Sequence, residues 1–342
     1  MATIQEVANR AGVSKATVSR VLSGNGYVGQ EKRDRVLKAI AETDYRPNLL
    51  ARNLATKTSQ TIGLVITNTL YSGSYFTELM AHSARMMEQQ GRQLILADGK
   101  HTAEQEQAAI QFLLDLRCDG IIIYPRFLSI EALDAIISQH KQPILVINRR
   151  LRINDSYCIF ADQHASSAMA VSHLLNQGHR EIAFITGSLD SPTGTERLSG
   201  YHAALAAQGI AADPQRVVAG KWTAQSGMAA VDTLLARNVS FSALVASNDE
   251  MAIGAIKRLT ECNRAVPDRV SVIGFDDIPL APYITPSLSS MKLPVTEMID
   301  ETINRLLTML DGGEWRARPP FSARLMLRDS VAPGPADASI RR

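Results

Sequence analysis

From Thr61 onward the chain alternates short apolar runs with amphipathic stretches, and this alternation limits its possible folds more than any other feature. TIGLVIT is followed by helical sequence through Met80 to Gln90, QLILA by Ala103 to Leu116, GIIIY by Glu131 to His140, and then comes PILVI. Runs this short, apolar on both faces and separated by helix-forming sequence, read as strands of a parallel sheet covered by helices. The pattern restarts at Cys158-Ile159-Phe160-Ala161 and continues through IAFIT, VVAG, ALVAS and VSVIGF. The body is therefore expected to be two similar α/β lobes. Ligands of such sheets sit beyond the carboxyl ends of the strands, so a small molecule is expected in the cleft.

That rule nominates Asn68, Asp98, Asn148, Arg149 and Asp162 in the first half of the body, and Asn248, Asp249, Asp276 and Asp277 in the second. Planar, multidentate Asp, Asn and Arg groups suit the neighbouring hydroxyls of a sugar, and Trp222 offers a face for the apolar side of the ring. Any one Asp or Asn after a strand could instead simply cap the next helix.

The first sixty residues differ in charge. Residues 1–60 hold 10 Lys+Arg and 5 Asp+Glu against 26 and 29 in the remainder, so a formal net charge of +2 divides into +5 and −3. A basic head on a slightly acidic body points to a polyanionic partner for the head; the plainer alternative is a solvated basic terminus. Thr3 and Glu6 have capping-box spacing, so a helix is expected from Ile4 with Val7, Ala8 and Ala11 inward. Gly12 permits a sharp turn, and Ser14 can cap a second helix from Lys15 to Leu22 that buries Val18, Val21 and Leu22. Two short helices on a glycine turn make a helix-turn-helix. Lys15, Ala16 and Arg20 then sit where a recognition helix reads bases, while Ser14, Thr17, Ser19 and Asn25 suit phosphate oxygens. For each residue alone, a solvated helix surface explains it equally well.

Gly24, Gly26 and Gly29 satisfy G-x-G-x-x-G formally, but the dinucleotide fingerprint needs a buried strand before it, and here a basic helix precedes. A third helix is expected near Gln30 to Thr43 with Val36, Leu37 and Ile40 inward. Asn48 to Ala55 has helical composition but about two turns of length, short enough to be marginal alone. Leu54 either packs on the following domain, which composition favours, or wedges into a minor groove as a partly folded segment docks.

Other classes have little support. No secretory h-region or run of about 20 apolar residues occurs, so a cytoplasmic chain without a membrane span is expected. Cys118, Cys158 and Cys262 are too few and too scattered for a disulfide framework or a paired-cysteine metal site. There is no G-x-S-x-G, P-loop or H-E-x-x-H, so no catalytic residue, metal or cofactor is expected. A periplasmic-type sugar-binding transport protein shares the two-lobed plan, but has no use for the basic head.

The head motif Ile4-x-x-Val7-Ala8-x-x-Ala11-Gly12-Val13-Ser14-x-x-Thr17-Val18-Ser19-Arg20-Val21-Leu22, followed by Tyr45-Arg46-Pro47-Asn48 and Leu54-Ala55, resembles the lactose-repressor/galactose-repressor family of bacterial transcription regulators. Gly178-His179-Arg180, Arg197-x-x-Gly200-Tyr201, Ala246-Ser247-Asn248-Asp249 and Val272-x-Gly274-Phe275-Asp276-Asp277 resemble its effector-domain signatures. The resemblance implies an all-α helix-turn-helix head on a two-lobed periplasmic-binding-protein-like α/β domain with parallel sheets. It also implies a homodimer on palindromic double-stranded operator DNA, paired hinge helices with Leu54 in the minor groove, and a sugar effector touching Arg197, Asn248 and Asp276 near Asp162 and Trp222. Gly29 departs from the family, where a Ser often caps the third helix. Asp98-Gly99-Lys100-His101, YPRFLS, NRRLR and NTLYSGSYF are similar to members that govern β-glucoside operons, which implies a β-glucoside or its metabolite as effector. The tail VAPGPADASIRR lacks the leucine heptads of a tetramerising helix, so a dimer is expected. The expected parts are a head at 1–46, a hinge and linker at 47–58 and an effector and dimerisation domain at 59–331. Within the last, one lobe comprises about 61–161 plus 292–320 and the other about 162–290 plus 321–331, before a disordered tail at 332–342.

Overall fold

The computed structural model describes residues 2–23, 26–45, 58–67 and 74–335. Asn25, Leu54 with its hinge, and Asn68 lie outside the described residues. The chain divides into two compact units, Met1–Gln60 and Thr61–Arg342.

In the first unit, α1 (Ile4–Ala11), α2 (Lys15–Ser23) and α3 (Gln30–Thr43) surround one small core. Thr3 Oγ1 accepts the Glu6 N–H at 3.3 Å and Glu6 Oε2 accepts the Thr3 N–H at 3.1 Å, the reciprocal box that starts α1. Gly12 ends the helix at φ 62°, a left-handed conformation that costs a glycine little. Val7, Ala8, Ala11, Val18, Val36 and Ala39 are buried, with Val21, Leu22 and Ile40 packed against them. Leu37, expected inward, is instead 52% exposed. Val36, Ala39 and Ile40 already complete a stripe at helical spacing, and Leu37 falls past its edge. Gly29 starts α3 with no side-chain cap bond, as a residue without a side chain must.

The second unit contains two sheets. β1 (Thr61–Ile66), β2 (Gln93–Asp98), β3 (Gly120–Tyr124), β4 (Ile144–Ile147) and β5 (Cys158–Ile159) lie in the order β2-β1-β3-β4-β5. Their pairings are all parallel. The intervening helices are α4 (Ser74–Gln89), α5 (Ala103–Asp115) and α6 (Ile130–Gln139). The second sheet has the order β11-β10-β9-β8-β6-β7, from β6 (Ile182–Thr186), β7 (Val217–Ala219), β8 (Ala243–Ala246), β9 (Ser271–Phe275), β10 (Ser289–Lys292) and β11 (Arg324–Met326). With it go α7 (Gln163–Asn176), α8 (Pro192–Ala207), α9 (Ala224–Ala236) and α10 (Asp249–Glu261), while α11 (Val295–Leu310) returns to pack on α4 and the first sheet. Both sheets are doubly wound, so each has a crevice at the carboxyl ends of its strands where the strand order reverses.

Close helix contact fixes the second crevice. A Cβ on Gly254 would fall 1.9 Å from the Ala224 carbonyl oxygen, and one on Gly227 2.1 Å from the Met251 carbonyl oxygen. These are backbone atoms, so α9 and α10 would have to separate. Helix propensity alone makes Gly254→Ala stabilising by about 1 kcal/mol; overpacking makes it destabilising by about 1–3 kcal/mol. We expect destabilisation, read as a lower denaturant midpoint at unchanged slope. A raised midpoint would contradict the packing.

Candidate functional sites

In the head, α2 buries Val18 and leaves Lys15, Ala16, Ser19 and Arg20 exposed on its other side. The helix starts on Ser14, whose Oγ accepts the Thr17 N–H at 3.2 Å and lies 3.0 Å from the Thr17 hydroxyl. Arg10 Nε donates to Glu42 Oε2 at 2.7 Å and ties α1 to α3. The result is a short helix with a basic, hydrogen-bonding face on a three-helix support, the arrangement that enters a major groove.

In the body, a cleft of about 130 Å³ opens at the carboxyl ends of both sheets. The chain after β3 contributes Tyr124 and Arg126, and that after β4 Asn148 and Arg149; Gln163 and Thr193 come from the first turns of α7 and α8. Trp222, Asn248 and Asp276 follow β7, β8 and β9. Arg197 lies at the floor, 2% exposed. Its Nε donates to Gln163 Oε1 at 2.8 Å, one terminal nitrogen donates to the Ser247 carbonyl and the other lies 3.4 Å from Asp276 Oδ1. Its guanidinium also stacks over Phe275, 4.3 Å from the ring centroid. Asn148 continues the network, donating to the Tyr124 hydroxyl at 2.5 Å and to Thr193 Oγ1 at 3.3 Å while accepting from Gln163 Nε2 at 3.2 Å. Polar groups from both sheets are thus joined under one cavity.

The electrostatics follow from burial. Desolvation pushes the Tyr124 hydroxyl up to about 12, so it stays protonated and able to donate. Burial also raises the Asp276 carboxyl, although Arg197 draws it back, and it raises the fully buried Asp249 well above the usual carboxylate range. Asp249 accepts from the Ile278 N–H at 2.9 Å and the Ser290 hydroxyl at 2.6 Å, which pins the loop carrying Asp276. Three lining residues have left-handed backbones: Asn148 at φ 62°, Trp222 at φ 66° and Asp276 at φ 99°. For Trp this conformation is strained, and such strain gathers at ligand sites. Asn248 Nδ2 holds it by donating to the Trp222 carbonyl at 2.9 Å, and the indole lies so close to Gly187 that a Cβ there would be 1.9 Å from the ring.

Comparison with known proteins agrees with this pairing of a helix-turn-helix and a two-lobed cleft. Residues 3–48 match the model for bacterial regulatory proteins of the lacI family, and residues 171–331 match the periplasmic binding protein-like domain. The transcriptional regulator AscG of Escherichia coli (strain K12) is 62% identical over 331 residues, covering 97% of this chain and 98% of AscG. The chain belongs to the lacI family of bacterial regulatory proteins. The lac repressor dimer bound to operator and the anti-inducer ONPF is 27% identical with a TM-score of 0.87, covering 97% of this chain and 99% of that one. The CelR–cellobiose complex is 28% identical with a TM-score of 0.71, covering 96% and 100%. Like these relatives, the chain is a transcriptional regulator, a lacI-type head on a periplasmic-binding-protein-like body.

Of the nominated cleft residues, Asn148, Arg149, Arg197, Trp222, Asn248 and Asp276 line the cavity of this lacI-family body, while Asp98, Asp249 and Asp277 do not. Asp162 is not among the lining residues: its Oδ1 caps α7 by accepting the Ala165 N–H at 2.8 Å, and the next residue, Gln163, lines the cleft instead. Asn248 has a double task, since its Oδ1 caps α10 at Met251. Arg149 spends its terminal nitrogens on the carbonyls of Pro125, Arg126 and Leu128. Asp276 and Asp277 take different partners, Asp276 pairing with Arg197 and Asp277 with Arg328 at 2.6 Å. Tyr124, Arg126, Gln163, Thr193 and Lys221 were not nominated, although Tyr124 ends the GIIIY strand and Arg126 follows it by two residues, so the strand-end rule applied to this strand would have reached both. Among the described residues, no helix is long and apolar enough to cross a membrane.

Proposed function

We propose that this regulator is a homodimeric repressor that binds two-fold-symmetric operator DNA and is switched by a β-glucoside or a derivative of one. The observation that carries the reading is the cleft network, in which Arg197, Asp276, Asn148 and Tyr124 offer fixed donors and acceptors beside the Trp222 ring. This is the lining that a neutral, hydroxyl-rich ring requires. CelR, solved with cellobiose, supports the ligand class. The lac repressor, solved as a dimer on operator, supports the assembly. In this reading the recognition helix α2 reads one half-site per protomer, with Lys15, Ala16 and Arg20 on bases, Ser14, Thr17, Ser19 and Asn25 on phosphates, and Leu54 in the minor groove. The protein works in the cytoplasm, catalyses no reaction and needs no cofactor.

The test is selection of bound sequences from random DNA, followed by titration of the selected complex with salicin, arbutin and cellobiose. Effector and operator must alter each other's affinity by the same factor, typically 5–150-fold. No change with any of these glycosides would overturn the effector reading; selection of no palindrome would overturn the repressor reading. Arg20→Ala is expected to weaken the selected site by about 1–3 kcal/mol and relax one base position symmetrically in both half-sites. Uniform weakening across all sequences would place Arg20 on phosphate instead.

A further inference from the structure

An ion pair beside the cleft joins the loop after β3 to the turn before α8. Arg126 follows β3 on the first sheet, and Asp190 precedes α8 beside the second. One terminal nitrogen of Arg126 donates to both carboxylate oxygens of Asp190, at 3.0 and 3.2 Å. The Arg126 side chain is 11% exposed and that of Asp190 59%, so the pair runs from the cleft wall to its rim. Ser188 and then Arg126 hold the Asp190 carboxyl below its usual range, and it stays ionised at neutral pH.

Arg126 is rooted unusually firmly. The fully buried Glu106 carboxylate accepts the N–H groups of Arg126, Phe127 and Leu128 at 2.8, 3.1 and 2.8 Å. From the other side, Arg149 donates to the carbonyls of Leu128, Pro125 and Arg126 at 2.5, 3.4 and 3.3 Å. A loop gripped through both its donors and its acceptors cannot follow a moving partner, so opening the cleft must break the bond to Asp190. Arg126 also lines the cavity, and its Nε–H is buried without an acceptor among the described residues. Buried donors are rarely left unmatched.

We propose that Arg126 and Asp190 form a latch that holds the two lobes together over the cleft, and that Arg126 couples it to the ligand by giving its spare Nε–H to a ligand oxygen. The second half rests on the reading that the cleft takes a small-molecule effector; the first does not.

The test uses the full chain with Cys262→Ser and spin labels on Glu131→Cys and Gln225→Cys, exposed positions on α6 and α9. Distances are measured by pulsed electron resonance without ligand. Asp190→Asn is expected to lengthen or broaden the distance distribution, and Arg126→Gln, alone or combined with it, to do no more, because both remove one interaction. An unchanged distribution in Asp190→Asn would overturn the latch. Arg126→Lys keeps a cation for Asp190 but loses the Nε donor, so it should keep the wild-type distances. Cellobiose dissociation should then be about 3–10-fold faster in Arg126→Lys, of the size expected for one hydrogen bond. Unchanged dissociation would overturn the coupling to ligand. If the distances respond but neither wild type nor variants bind cellobiose, salicin or arbutin, the effector reading fails and the latch stands.

Discussion

Arg197→Met is expected to lower stability by about 3–5 kcal/mol at neutral pH, the usual cost of removing one partner of a buried ion pair. The side chain fills the floor of the cleft, and its nitrogens serve Gln163, the Ser247 carbonyl and Asp276. Methionine replaces most of the volume and the contact with Phe275, so the loss isolates the charge and hydrogen bonds. Asp276 is then left with burial, which raises its carboxyl, and without the guanidinium that lowers it. A carboxyl raised in the folded state above its unfolded value contributes stability that is present at low pH and lost as pH rises through the folded value. The deficit of the variant should therefore be full at about pH 7 and smaller near pH 4, where Asp276 is protonated in the variant. Denaturant unfolding at the two pH values measures it. A deficit that grows on acidification would show that Asp276 is not the group left uncompensated. Arg197→Lys should fall between, since a point charge cannot reproduce the forked contacts.

Most of the architecture was legible because it rests on local pattern. The capping box at Thr3 and Glu6, the turn at Gly12 and the apolar strands from TIGLVIT to VSVIGF are signals carried by neighbouring residues, and each element formed within a residue or a few of its expected place. β10 was not legible. Its sequence, Ser289-Ser290-Met291-Lys292, has no apolar run, yet both serines are buried. It holds its place between β9 and the edge strand β11 because the two hydroxyls are satisfied, Ser290 by Asp249 and Ser289 by the Arg328 carbonyl. Nothing local announces partners this distant in sequence. The cleft divides in the same way. Strand ends located Asn148, Arg149, Asn248 and Asp276, and Trp222 was marked by its ring, but at one strand end the helix cap used the nominated side chain and left its neighbour to line the cleft. Asp162 was taken and Gln163 was left. Arg197 stands within α8, away from any strand end, and only the family motif pointed to it.

Glu106→Ala is the second large effect expected, and it tests how the cleft wall is made. Glu106 is an acidic residue in the first turn of α5 with no exposure, a placement that would be prohibitive without compensation. Three N–H groups of the loop after β3 compensate it. Truncation leaves those three donors with no acceptor at about 1–3 kcal/mol each, about 3–9 kcal/mol together, and deprives the partly buried Arg149 of a nearby negative charge. Glu106→Gln retains an acceptor oxygen but turns an amide NH₂ toward backbone donors, so about half that loss is expected. Hydrogen exchange distinguishes this from a general weakening: the amides of Arg126, Phe127 and Leu128 should exchange faster relative to those of β6 and β8 on the second sheet. Uniform acceleration across both sheets would mean that Glu106 supports only the fold. Selective acceleration would mean that a buried carboxylate, far from any strand-end signal, sets the position from which Arg126 reaches across the cleft.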